Sequence, residues 1–223
     1  MARTVSEPKY REIRDGFYWT QECLSLGTLS ELERFDMSDW LDPAEEAHGC
    51  QNAYLFADER TLLFDTLTQP NGGEGPDTVL HTHSTLPHTE NVPAFEAEWD
   101  EFETIAAMGR FPEIVGLPTA RPRELNRPVD FAGRSITCIH PLLTDVTVSQ
   151  WAYDHDSGVL FTAEAFGHYH DLGDCELTST EIEGGIPAEH VRQFYLDKLP
   201  FIDLLDYDTL GDAFEMLFDI LKV

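Results

Sequence analysis

Apolar residues along this chain gather in short runs through most of its length and settle into helical spacing only near the end. Phe17-Tyr18-Trp19 reads as a short aromatic strand. Residues 52–57 (NAYLFA) and 61–67 (TLLFDTL) read as two strands joined by a turn at Asp58-Glu59-Arg60. The second is apolar until Asp65, as a buried strand is. Residues 69–76 are a Gly/Pro-rich loop, and Thr78-Val79-Leu80 is a short strand feeding a histidine-rich segment. From Ala94 to Met108, the spacing of Phe95, Trp99, Phe102 and Ile105 predicts a helix. Strands are predicted over 113–117, 134–139, 147–153 and 159–163, with a hairpin turn at 154–158, while Pro128 to Phe131 leads into a glycine turn. Residues 188–199 and 210–221 predict helices, the second carrying Leu210, Phe214, Leu217, Phe218 and Leu221 on one face. Residues 1–15 are polar and suit an arm or edge. The stretch from Leu26 to His48 is acidic and irregular, with Trp40 and Leu41 as anchors.

Strands, a helix, a strand, hairpins and then helices imply two sheets with helices outside them, in one domain over 1–223. The chain has no GxGxxG or GxxxxGK[ST] segment, so neither glycine-rich phosphate loop is present. It has no GxSxG elbow for a serine nucleophile.

Composition then narrows the surroundings. With 42 acidic and 14 basic residues the formal net charge is -28, and the acidic residues run throughout the chain. Such a surface repels itself at low salt and is tolerated when screened, so it resembles the hydrated surfaces of halophilic archaeal proteins. No basic patch is available to displace phosphate counterions, which argues against nucleic acid. Cys23, Cys50, Cys138 and Cys175 are dispersed with no CxxC pair, and do not suggest a disulfide scaffold. The N-terminus lacks the apolar core of a signal peptide, and no apolar run reaches the roughly 20 residues that span a bilayer. The expectation is a soluble, cytoplasmic protein without a membrane partner.

The candidate chemistry lies in HTHSTLPHTEN, with His81, His83, His88 and Glu90. Asp145 and Glu164 each follow a short apolar run and can meet this cluster. Ligands from several strand ends, far apart in sequence, are how a metal site is built in an α/β fold. The sequence leaves a plainer reading open for each. His83 and His88 are metal ligands or hydrogen-bonded structural histidines. Asp145 and Glu164 bind a cation or cap turns, because a buried carboxylate without a partner is costly. His81 is a ligand or a packed structural histidine. Glu90 is a ligand, a loop cap or a surface charge. Asp65 is expected to accept N–H bonds from the histidine loop and to orient ligands only indirectly. His168 and His170 form an H-x-H pair that reaches a metal if its loop folds inward.

Four stretches carry a family resemblance: DGFYW at 15–19, GCQNAYLFADERTLLFDTL at 49–67, HSTLPHTENVP at 83–93 and LFTAEAFG at 160–167. In order and spacing the chain resembles, from about Asp15 to Tyr195, the metallo-β-lactamase-like domain of flavodiiron proteins, the oxygen- and nitric-oxide-reducing enzymes. The resemblance implies an α/β fold, a four-layer αββα sandwich, here without the family's final strand. It places His83 and His88 on two ligand histidines, Asp145 on a third histidine position and Glu164 on the bridging aspartate. Thr85 and Pro87 stand where the family has a ligand glutamate and aspartate, and the last ligand histidine has no counterpart before Val223. The flavodoxin domain that carries FMN is not among these residues.

These departures imply iron or zinc as one ion or none, rather than a full two-metal centre. His83, Asp145 and Glu164 suffice for one ion with open positions, and His81 or His88 joins if the loop differs from the family's. Three functions follow. One is a non-catalytic or weakly metal-binding descendant with a binding or regulatory role. Another is an iron-dependent oxidoreductase acting on O2 or NO through an external electron-transfer protein. The third is a metal-dependent hydrolase, against which Leu86 and Pro87 count. The family's homodimer is a further expectation.

Overall fold

The computed structural model describes residues 10–25, 47–67, 75–89, 91–106, 120–145, 148–199 and 201–222. The predicted arm over residues 1–9, the stretch 26–46 with Trp40 and Leu41, most of the Gly/Pro-rich loop, Glu90 and the strand predicted over 113–117 lie outside them.

Among the described residues, eight strands form the first sheet. β1 (Arg11–Arg14), β2 (Phe17–Ser25), β3 (Ala47–Ala57) and β4 (Thr61–Phe64) pair antiparallel in sequence order. β5 (Thr78–Leu80), β6 (Glu103–Ala106) and β7 (Arg121–Pro122) then add in parallel. The short β12 (His170–Asp171) pairs with the start of β3. The second sheet is antiparallel, in the order β11 (Val159–Phe161), β10 (Trp151–Asp154), β9 (Arg134–Ile139), β8 (Pro128–Phe131). Helices are α1 (Leu86–Thr89), α2 (Val92–Glu98), α3 (Ala188–Lys198) and α4 (Tyr207–Leu221).

Alternation along the strands explains the layers. Leu62 and Phe64 of β4 face inward with Phe17, Phe56, Leu80 and Ile105, against Ile136, Cys138, Ala152 and Phe161 of the second sheet. Phe64 stacks on Phe161, their ring centroids 3.7 Å apart, which locks the sheets face to face. Leu63 and Val79 point the other way and receive Phe95 of α2, with Trp99 and Phe102. On the outer face of the second sheet, Ile139 and Trp151 are covered by Leu199, Ile202 and the apolar side of α4. The result is helix, sheet, sheet, helix: the αββα sandwich.

Three elements differ from expectation. The helix predicted from Ala94 to Met108 is the seven-residue α2 followed by β6. Thr104, Ile105 and Ala106 are buried in a parallel ladder beside β5, where backbone pairing overrides the helical spacing. The strand predicted from Thr147 begins its ladder only at Trp151. The 17–19 strand extends to Ser25, and β3 begins at Ala47, because these two edges pair over nine residues.

Cysteine usage also differs, since Cys23 and Cys175 form a disulfide.

Candidate metal centre

Strand ends of both sheets converge on the histidine segment. Beyond β5 the chain runs through His81, Thr82 and His83, all buried. Gln150, entering β10, anchors it twice: its N–H donates to the Thr82 carbonyl (2.8 Å) and its side-chain amide to the His81 carbonyl (2.6 Å). His83 and Ser149 form a β-bridge. The segment is thereby pinned between the two sheets.

Asp65 follows β4 in the left-handed region, with φ 61°, which a short polar side chain tolerates better than most. It accepts from the Thr82 N–H (2.8 Å) and the Thr82 hydroxyl (2.6 Å), as the sequence led one to expect. It also lies 3.0 Å from His88 Nδ1 and 3.9 Å from His81 Nδ1. Burial alone would raise the Asp65 pKa, but the His88 charge and hydrogen bond outweigh it and hold the carboxyl low. Burial likewise works against the His88 charge, yet Asp65 and Glu164 prevail and raise it to about 10. His88 is therefore an imidazolium between two carboxylates.

His81 points to the interior, its Nδ1 donating to the His88 carbonyl at 3.0 Å. The Thr66 N–H and hydroxyl converge on the same oxygen, each at 3.0 Å. Burial lowers the His81 pKa to about 4 and keeps it neutral. These three donors fix α1, so His81 positions the loop that carries His88.

Glu164 sits in the turn after β11, where Ala163 and Phe166 have φ 51° and 63°. Left-handed backbone at residues other than glycine stores strain, of order 1–3 kcal/mol each. The turn is held by the Tyr195 hydroxyl, which accepts from the Phe166 N–H at 2.7 Å. Gly167 completes it, because a Cβ there would strike the Phe194 ring.

His83 Nε2 meets Asp145 at 3.0 Å and Glu164 at 3.9 Å. One donor atom from each of these three lies within 4.8 Å of the others. His88 stands beside this set: its Nε2 is 3.6 Å from Glu164 and its ring lies parallel to that of His83, with centroids 5.0 Å apart. A single cation fits the first three residues by donor type and convergence. A second fits poorly, since Thr85 provides no carboxylate and His88 Nδ1 is turned to Asp65.

The single-ion fit has a defect. A ligating histidine normally donates its other ring N–H to an acceptor. The buried His83 Nδ1 has no hydrogen-bond partner among the described residues.

A cavity of about 540 Å³ opens beside Glu164 and His88 and runs to Cys50, His168 and His170. His168 and His170 thus lie at its far end, away from His83. Sequence reasoning missed this grouping of His48, Cys50 and His170 with Cys23 and Cys175. Its visible signal was His48-Gly49-Cys50, which places two donors on one strand face.

The architecture is that of metallo-β-lactamase-like proteins. Among solved structures, the chain is similar to a variant of the flavo di-iron protein of Thermotoga maritima, at 16% identity and TM-score 0.68, over 98% of this chain and 56% of that one. It is similar to rubredoxin oxygen:oxidoreductase from Desulfovibrio gigas, at 18% identity and TM-score 0.65, over 95% and 53%. A fragment of a diflavin flavoprotein from Nostoc matches at 13% identity and TM-score 0.61, over 86% and 77%. The chain spans about half the length of the first two. No protein-family model and no curated protein matches the chain.

Proposed function

We propose that this chain is a degenerate flavodiiron-like protein that binds rather than catalyses, and holds at most one iron or zinc ion, weakly, at His83, Asp145 and Glu164. The observation that carries this reading is the contrast within the site. Three donors converge, while His88 is committed to Asp65. The His83 Nδ1, without a partner among the described residues, supports weak binding, since losing such a partner typically costs about 10–100-fold in affinity. The whole chain acts as one domain in the cytoplasm. It has no helix among the described residues long and apolar enough to cross a membrane, and its charge disfavours nucleic acid. Leu204, Met216 and Ile220 are exposed at the helical face and suit a homodimer contact.

A second reading, an iron-dependent reaction with O2 or NO, is favoured by the cavity that reaches Glu164. Bound iron would supply an open coordination position and one-electron chemistry. This chain's residues would hold it, admit the small ligand and keep a proton on His88. Electrons would come from a separate protein.

Elemental analysis of protein purified in concentrated salt without chelator or reductant tests the first reading. Iron or zinc at or below one equivalent, lost on His83→Ala/Glu164→Ala, is the expected result. Two equivalents removed by that double substitution would overturn it, and so would NO or O2 turnover with a reduced electron donor.

A further inference from the structure

At the far end of the cavity, five donor side chains gather on one face of the first sheet. Cys23 and Cys50 are direct partners across β2 and β3. His48 lies two residues before Cys50 and therefore on the same face. His170 pairs with His48 across β3 and β12. Cys175, just past the turn at Leu172–Asp174, reaches back to Cys23 as its disulfide partner.

The distances are those of a coordination shell. Cys23 Sγ is 3.1 Å from His170 Nε2 and 3.6 Å from His48 Nδ1, and Cys50 Sγ is 3.5 Å from His170 Nε2. With Zn–S near 2.3 Å and Zn–N near 2.0–2.1 Å, tetrahedral geometry sets sulfur and nitrogen about 3.5 Å apart. Two sets of three donors, Cys23/His48/Cys175 and Cys23/Cys50/His170, each fit within 4.8 Å, and Cys23 belongs to both.

The surroundings suit a ligand site better than simple packing. His48 and His170 are buried, and His48 Nε2 has no hydrogen-bond partner among the described residues. Sulfur and imidazole donors select zinc or another borderline-soft ion, in contrast to the carboxylates around His83.

We propose that Cys23, Cys50, Cys175, His48 and His170 form a second, sulfur-rich zinc site that is available only when the Cys23–Cys175 disulfide is reduced. In the disulfide, neither sulfur is a thiolate, and only Cys50, His48 and His170 remain as donors. Reduction by a phosphine breaks the S–S bond. Water gives its oxygen to phosphorus and its two hydrogens to the two sulfurs, so phosphine oxide and two thiols result. The ion then binds Cys23 and three of the other four donors, and each coordinating thiol releases its proton to solvent. In a reducing compartment, where disulfides are transient and often redox-sensing, this site would exchange a covalent staple for a metal clip. The proposal does not depend on whether the His83 site binds anything.

Cobalt(II) is the probe, because thiolate-to-cobalt absorption reports sulfur ligation and carboxylate or imidazole sites lack it. The full chain is titrated in concentrated salt with and without a phosphine reductant. The expected result is a thiolate band in the reduced protein that saturates at one equivalent and is displaced by zinc, with none in the oxidised protein. His83→Ala should leave it unchanged, and Cys23→Ser should abolish it. Cys50→Ala/His170→Ala leaves the disulfide pair in place and should weaken cobalt binding at least tenfold, so the test survives if Cys23→Ser does not fold. A reduced, folded protein without the band would overturn the proposal. So would an equal band in the oxidised protein, one that persists in Cys23→Ser, or cobalt affinity that Cys50→Ala/His170→Ala leaves unchanged.

Discussion

Asp65 and His88 illustrate how much of this site is decided by pairs of side chains. Removing one member of a buried ion pair leaves the other uncompensated, at a typical cost of about 3–5 kcal/mol. Asp65→Ala is therefore expected to lower urea stability by roughly that amount and to bring the His88 titration, followed by NMR, down from about 10. The histidines also set the pH profile of the metal-free protein. His81 and His170, held near 4 in the fold, take up protons on unfolding below about 6.5, so stability should fall as pH drops from there toward 4. Asp65 and Glu164, both held low, lose their contribution as pH falls through their folded values. His88 acts in the opposite sense. Its raised pKa contributes fully below about 6.5 and is lost as pH rises through about 10. Denaturation across pH should show a maximum near 6.5, and a plateau from 7 to 10 would contradict the His88 assignment.

Among the elements, the turn between β11 and β12 carries Glu164 and is the most strained connection near the site. Ala163→Gly is expected to leave stability unchanged or raise it by up to about 1 kcal/mol, because glycine accepts the left-handed backbone. Gly167→Ala should be clearly destabilising, since its new methyl meets Phe194; thermal melts of the two variants make the comparison. α4 is capped by Asp206, whose carboxylate accepts from the Thr209 N–H at 3.2 Å, and Asp206→Ala should cost about 1 kcal/mol in urea. The legibility of these elements in sequence follows their periodicity. α3, α4, β4, β5 and β9 were readable because their apolar spacing agrees with their final state. The segment from Ala94 differs because Phe95, Trp99 and Phe102 keep helical spacing up to the point where a four-residue strand, buried from Thr104, begins, and short apolar runs do not separate strand from helix. The His83, Asp145 and Glu164 convergence was readable from strand ends. The cysteine cluster was not, because its members meet only through cross-strand register, with residues 23 and 50 opposed across a long connection and residues 170 and 175 returning from far along the chain.

Taken whole, the molecule joins an apolar two-sheet interior to a surface of net charge -28. Mutual repulsion at that density weakens as the Debye length falls from about 30 Å at 0.01 M to 3 Å at 1 M salt. The melting temperature should rise steeply over that range of KCl and far less for a variant with ten surface carboxylates replaced by amides. A flat response would remove the halophilic interpretation of the surface. The disulfide has a consequence of another kind. It joins residues 152 apart in sequence, tying the second strand to the segment beyond both sheets. If the chain is held by its two ends and stretched, tension passes through the bond and bypasses almost the entire sandwich. Only the tail before Cys23 and the helices after Cys175 can then pay out length. Once the bond is cut, the same pull reaches every strand in turn, so redox state would decide whether this protein meets mechanical load as a knot or as a thread.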